Sequence, residues 1–192
     1  AEPEQTEPRR QELSVSQFGV VMAGYRLPQA TDGDVLALQV AGMVLSGGTS
    51  SRLHHRLVGG KLADEIGGQV LVRHDGGLLV AFARFTGEAA PVEKALIGEI
   101  DRLVRQGPSA VELRRAKGQI LAAAWLGMES ATGLANQIGV SWGLTGKPAG
   151  FLADLAALEK LGAADLRRAT GKYLARNRLS LVLAEPSGPA AG

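Results

Sequence analysis

An α+β fold, an antiparallel or mixed sheet with helices packed on one face, is what three features of this 192-residue sequence predict. Strand-like patterns cluster before Phe85, segments of helical periodicity fill Val92 to Leu174, and one strand-like run closes the chain. A parallel doubly wound sheet would need strands and helices to alternate throughout, and they do not.

The first strand is expected between Leu13 and Tyr25, where Leu13, Val15, Phe18, Val20 and Met22 alternate with polar or small residues until Leu27-Pro28. Residues 34–45 are apolar almost all round, which predicts a buried helix capped by Asp32 or Asp34 and stopped at Gly47-Gly48. A short polar helix from Ser50 to about Val58 comes next. Ile66 to Arg73 and Leu78 to Phe85 read as an antiparallel hairpin, because His74-Asp75-Gly76-Gly77 between them supplies the positive φ of a tight turn.

Val92, Leu96, Ile100, Leu103 and Val104 recur at helical spacing and end before Gly107-Pro108. Ser109 followed by Glu112 is a capping box that starts a long helix to about Met128. Further helices are expected over Ala131 to Gly143, Phe151 to Leu158 and Ala163 to Leu174, then a strand through Leu179, Leu181 and Leu183. The ends lack periodicity. Residues 1–10 are therefore expected to be a linker, 11–185 one domain and 186–192 a tail. An Ala at position 1 suits a processed or excised piece joined to something on its N-terminal side.

Composition excludes several classes. Hydrophobic residues are 45% and charged residues 21%, the profile of a globular protein. No apolar run reaches the ~20 residues that cross a bilayer, and the start lacks a signal-peptide pattern. A soluble protein with no membrane span, cytoplasmic or periplasmic, is expected. The absence of cysteine removes disulfides and thiolate chemistry. The net charge of +2 comes from scattered Lys and Arg, and aromatics are only 4%, so neither phosphate tracking nor base stacking has a surface and nucleic acid is not expected as a partner.

Catalytic chemistry is equally hard to place. A zinc site takes two His one helical turn apart plus a carboxylate. The histidines here are His54, His55 and His74, and the adjacent pair points about 100° apart on a helix. Neither H-E-x-x-H nor H-x-x-E-H occurs, nor does a G-x-S-x-G elbow. The loop of Gly47, Gly48, Ser50, Ser51 and Arg52 lacks the strand and the Lys of a phosphate loop and reads as a capped turn between helices. Glu112, Glu129 and Glu159 read as solvated or capping carboxylates, and Trp125 and Trp142 as packing between helices. Pattern alone leaves room for an independent small-ligand domain.

Several strings together resemble one family. YRLP at Tyr25 to Pro28, LSGGTSSRL from Leu45 to Leu53 and Leu57-Val58 are similar to the opening of the C-terminal half of pitrilysin, insulinase and mitochondrial-processing-peptidase subunits. The turn and strand from Asp75 to Leu79, Val92-Glu93, Glu112-Leu113 with Ala116-Lys117, Asp165, Tyr173-Leu174 and Leu181 to Leu183 extend the resemblance over nearly the whole chain.

The resemblance implies a half-subunit with no zinc of its own, catalytically inactive alone, that walls a peptide-binding chamber. Zinc is then expected on an N-terminal half of the same chain, with unfolded peptide as substrate and homo- or hetero-dimers of full subunits. Some members donate an Arg and a Tyr seven residues later from this half to the substrate. Val58 and Asp64 stand near those places here, and Tyr25 and Tyr173 are the only tyrosines. The Gly47, Gly48, Ser50, Ser51, Arg52 loop is the candidate chamber or structural element. The alternative within the same fold is an inert scaffold or assembly domain with no part in proteolysis.

Overall fold

A computed structural model describes residues 5–15 and 18–186. Residues 1–4 of the expected linker, residues 16 and 17 of the expected first strand, and the tail from 187 onward lie outside the described residues.

Among the described residues five strands form one mixed sheet with the order β1-β5-β2-β4-β3. They are β1 (Arg9–Val15), β2 (Gly19–Leu27), β3 (Glu65–Leu71), β4 (Gly77–Phe85) and β5 (Leu179–Pro186). β1 runs parallel to β5, and every other pairing is antiparallel. The stretch expected as one strand over Leu13 to Tyr25 is thus two strands that are not hydrogen-bonded to each other, with β5 between them. Alternation reports which residues face a core but not where the chain turns back. β1 also begins inside the stretch expected to be a linker: with a strand to pair against, the charged segment at Arg9 and Arg10 still forms a ladder.

Among the described residues six α-helices complete the fold: α1 (Val35–Ser46), α2 (Ala89–Gln106), α3 (Ala110–Gly127), α4 (Ala131–Thr145), α5 (Gly150–Lys160) and α6 (Ala163–Tyr173). The expected short helix after Ser50 is a single π-helical turn, His54–Val58. The period-two pattern of β2 buries Val21, Ala23, Tyr25 and Leu27, and that of β4 buries Leu79, Ala81, Ala83 and Phe85. Against this face pack α1, α2 and α6. Helix α2 presents Val92, Leu96, Ile100 and Leu103 to it, each worth ~1.5–3 kcal/mol when removed from water. One contiguous core results.

The opposite face of the sheet carries no helix among the described residues. Register places Met22 between Phe82 and Val182 there, with Arg26 beside Leu78 and Gly24 beside Val80. Met22, Leu78 and, on β1, Leu13 are exposed. An open apolar face on one side and three helices on the other is the layering the sequence pattern predicts.

The capping expectations divide. Ser109 and Glu112 form the predicted box, Ser109 Oγ accepting from the Glu112 amide at 3.2 Å and Glu112 Oε2 accepting from the Ser109 amide at 2.7 Å. Of the two aspartates expected to cap α1, Asp34 makes no side-chain cap bond, whereas Asp32 accepts an amide at the helix start. Asp34 is instead buried and ion-paired to Arg168 and Lys172 of α6, while Asp32 accepts the Asp34 amide at 2.8 Å. Two cations from a distant helix outcompete a local amide for a buried carboxylate.

Candidate functional site

Helix α1 stops where a side chain would collide. A Cβ on Gly47 would overlap Met43, and Gly48 sits at φ 77°, a left-handed conformation that costs other residues energy. The chain then re-enters a helical turn through Ser51, which is fully buried, receives the His54 amide on its Oγ at 3.4 Å and the His55 amide on its carbonyl at 3.1 Å. Ser50 is exposed. The predicted capped turn between helices is present, with Ser51 as the capping hydroxyl.

Arg52 leaves this turn and reaches α3. Its Nε donates to Glu112 Oε1 at 2.6 Å, and its Nη2 donates to Glu112 Oε2 at 2.9 Å and to the Gly107 carbonyl at 2.9 Å. The side chain is only 9% exposed, and its Nη1 is buried with no hydrogen-bond partner. The Arg52 guanidinium holds the Glu112 carboxyl down to about 2, against a smaller opposing push from burial and with help from Ser109. Arg52 is therefore committed to joining the turn to the α2–α3 corner.

His54 is half-buried, and His55 and His74 are exposed. Among the described residues, no three of His, Asp and Glu stand close enough to hold a metal ion. The donor set of the described residues does not fit a catalytic zinc. Of the two tyrosines, Tyr25 is buried on β2 with its hydroxyl unpartnered and its pKa raised by burial. Tyr173 donates to Asp32 at 3.4 Å.

The hairpin expected from Ile66 to Phe85 is present as β3 and β4, and what sequence reasoning missed is that β3 is an edge of the sheet. It is the last strand of the sheet, paired only with β4 among the described residues. At the other edge, β1 carries Arg9, Arg10 and Glu12, with Arg10 paired to Glu12 at 2.9 Å and to Glu93 at 2.7 Å. Charges of that kind guard an edge against further pairing. β3 reads EIGGQVL, its one charge is Glu65 at its start, and Gly68 and Gln69 are exposed midway. The glycines are fixed by packing: a Cβ on Gly67 would meet the Phe82 ring at 2.5 Å, and one on Gly68 would overlap Ser46 Oγ and reach the Val80 carbonyl at 2.9 Å. The clue in the sequence was a strand with two adjacent glycines and no Lys or Pro; its position at an edge is a property of topology alone.

The sequence matches the profile of the peptidase M16 inactive domain over residues 1–120. This chain belongs to the M16 peptidase family. The match spans β1 to the middle of α3, including the Gly47–Arg52 turn and β3, and the profile describes the family's inactive domain. No curated protein matches the chain in sequence.

Several solved structures share the fold. A protease from Helicobacter pylori superposes with a TM-score of 0.88 at 21% identity, covering 96% of this chain and 45% of that one. The M16 inactive domain from Pseudomonas fluorescens gives 0.85 at 16% identity, with 97% of this chain and 45% of that one covered. The inactive peptidase domain of a candidate zinc protease from Bordetella parapertussis gives 0.80 at 23% identity, with 91% and 97% covered. The chain spans about half the length of the Helicobacter and Pseudomonas chains. No helix of the described residues is long and apolar enough to cross a membrane.

Proposed function

We propose that this M16 inactive domain is the non-catalytic half of a zinc metalloendopeptidase subunit and that it forms one wall of a chamber for unfolded peptide. The zinc belongs to an N-terminal half, since the present chain offers no ligand set of its own among the described residues. The observation that supports the chamber wall is the contrast between the two sheet edges: β1 carries Arg9, Arg10 and Glu12 with Arg10 in two ion pairs, and β3 has a single ion pair, Glu65 with Arg84 at 3.1 Å at its first residue, and no charge beyond it. An extended peptide adds to a bare edge through main-chain hydrogen bonds, without regard to its sequence. Beside that edge, the uncovered face with Met22, Leu78, Val80 and Phe82 gives apolar side chains somewhere to rest. Ser46, at the end of α1, lies behind Gly68 of β3, and the Gly47–Arg52 turn that follows it is braced on α3 through Arg52 and Glu112.

Hydrogen–deuterium exchange of this chain with an unstructured apolar peptide tests the reading. Amides of Glu65–Leu71 are expected to slow on peptide addition while those of β1 do not change. Equal exchange at β3 with and without peptide, at concentrations where the peptide is bound, would sink it.

A further inference from the structure

A cleft of about 480 Å³ opens between the start of α1 and the α4–α5 hairpin, within the ~300–1,000 Å³ of small-molecule sites. Val35 and Leu36 of α1 form one wall, and Val140, Leu144 and Phe151 of α4 and α5 form the other. Met22, Leu78 and Val80 do not border it, so it is separate from the open face of the sheet. Three polar residues interrupt the apolar lining, one from each helix: Gln39 of α1, Gln137 of α4 and Asp154 of α5. Both glutamines are half-buried. None of the three side chains has a hydrogen bond or ion pair among the described residues. An apolar cleft with a few unpaired polar groups on separate elements is the usual form of a small-ligand site.

Asp154 lacks a counter-charge. Partial burial pushes its carboxyl up from the ordinary value, because the charged form is disfavoured and no neighbouring cation offsets the effect. Lys147, in the turn between α4 and α5, borders the same cleft without pairing to it. Asp32, on the α1 side, is already engaged, accepting the Asp34 amide at 2.8 Å and the Tyr173 hydroxyl at 3.4 Å. The walls are held in place by contacts of their own. Ser141 Oγ donates to the Lys147 carbonyl at 2.6 Å and accepts the Phe151 amide at 3.2 Å, which ties α4 to α5. At the far end of α5, Lys117 Nζ donates to the Glu159 and Leu161 carbonyls at 2.7 and 3.0 Å. Helix α1 is fixed to α6 through Asp34.

We infer that this cleft binds a small organic cation, an amine or amidine carried on an apolar body. The nitrogen donates to the Asp154 carboxylate and to the amide oxygens of Gln39 and Gln137, and the body fills the space between Leu36 and Phe151. The lining selects this class. An anion would meet Asp154 and Asp32, and a neutral apolar molecule would desolvate Asp154 further and give it no partner. A cation converts the same burial into a charge-assisted hydrogen bond. A metal ion would need several carboxylate or imidazole ligands, and the described residues offer no group of three. The inference does not depend on the chamber reading, because none of the surface assigned to peptide borders the cleft.

Titration of the chain with phenylbutylamine, followed by backbone amide NMR shifts, tests it, with phenylbutanol as the neutral molecule of the same shape. The amine is expected to shift amides of α5 and of the first turn of α1, and to bind at least about tenfold more tightly than the alcohol. Asp154→Asn is expected to weaken the amine by about tenfold while leaving the alcohol and the melting of the chain unchanged. Ala153→Trp, at an exposed position that borders the cleft, is expected to exclude both molecules from a folded chain. Equal affinity for amine and alcohol, an amine affinity indifferent to Asp154→Asn, shifts confined to other parts of the fold, or no binding at about millimolar concentration would each overturn the proposal. Tighter binding at the same amides by a short peptide bearing one arginine would place the cation on a polypeptide and overturn the assignment to a small ligand.

Discussion

Arg52 and Glu112 meet as a two-pronged pair, Nε to Oε1 at 2.6 Å and Nη2 to Oε2 at 2.9 Å, across a sequence separation that joins the end of α1 to the start of α3. The same carboxylate closes the capping box of α3 and the same guanidinium holds the Gly107 carbonyl. Removing one partner strands the other. Arg52 is nearly buried, so Glu112→Ala is expected to cost about 3 kcal/mol, the scale of a broken buried pair. Urea unfolding of the two single variants and the double variant checks this: the double variant should lose less than the sum of the singles.

That pair also fixes an acid dependence. The Glu112 carboxyl is held down to about 2 in the folded chain, from an ordinary value of 4.5. Its folded value is depressed, so its contribution to stability is complete above 4.5 and is lost as pH falls through about 2. Unfolding free energy is expected to decline across that window in the wild type. In Glu112→Gln the decline should be shallower, and an identical slope would show that other carboxylates govern it.

Tyr25 illustrates the opposite situation. Its ring is fully buried against the helix layer, and its hydroxyl has no partner. A buried polar atom left unsatisfied costs free energy that an apolar isostere does not. Tyr25→Phe is expected to raise stability by about 1 kcal/mol, read as a higher urea midpoint at unchanged slope. A loss of similar size would mean that the hydroxyl is hydrogen-bonded in solution.

Much of this architecture is legible from residues. The period of β4, the capping box at Ser109 and the Gly47-Gly48 stop are local matters of sterics and hydrogen bonding, and each lies where its pattern says. What is not legible is whatever depends on distant partners. Asp34 looks like a cap because its neighbours in sequence are amides; Arg168 and Lys172, far along the chain, claim it. β1 and β2 look continuous because both alternate, and only the insertion of β5 between them separates them. The edge position of β3 and the exposure of α4 belong to the same category, since a pattern of apolar residues does not say which of them a fold leaves uncovered. Trp125 and Trp142 show this directly: expected to pack between helices, they are 60% and 63% exposed.

Gly68 holds β3 against α1 at close range. An added methyl would overlap Ser46 Oγ and press on the Val80 carbonyl at 2.9 Å. Gly68→Ala is therefore expected to destabilise by about 1–3 kcal/mol, the cost of overpacking. Gly98 offers the control, because a Cβ there meets nothing within 4 Å and the position is helical. Gly98→Ala should stabilise by a few tenths to about 1 kcal/mol through helix propensity. Thermal unfolding of both variants reads the difference.

The open face of the sheet separates folding from binding. Met22 and Leu78 lie on it and are 36% and 39% exposed, with no helix over them among the described residues. A charge at either position meets water, so Met22→Glu and Leu78→Glu are expected to change stability by less than about 0.5 kcal/mol. Affinity for an unstructured apolar peptide should nevertheless fall, because the carboxylate removes the surface on which its side chains rest. Fluorescence anisotropy of a labelled peptide, measured beside the urea curves, distinguishes the cases. Loss of both together would make this face part of the core, and loss of neither would confine peptide contact to the β3 edge.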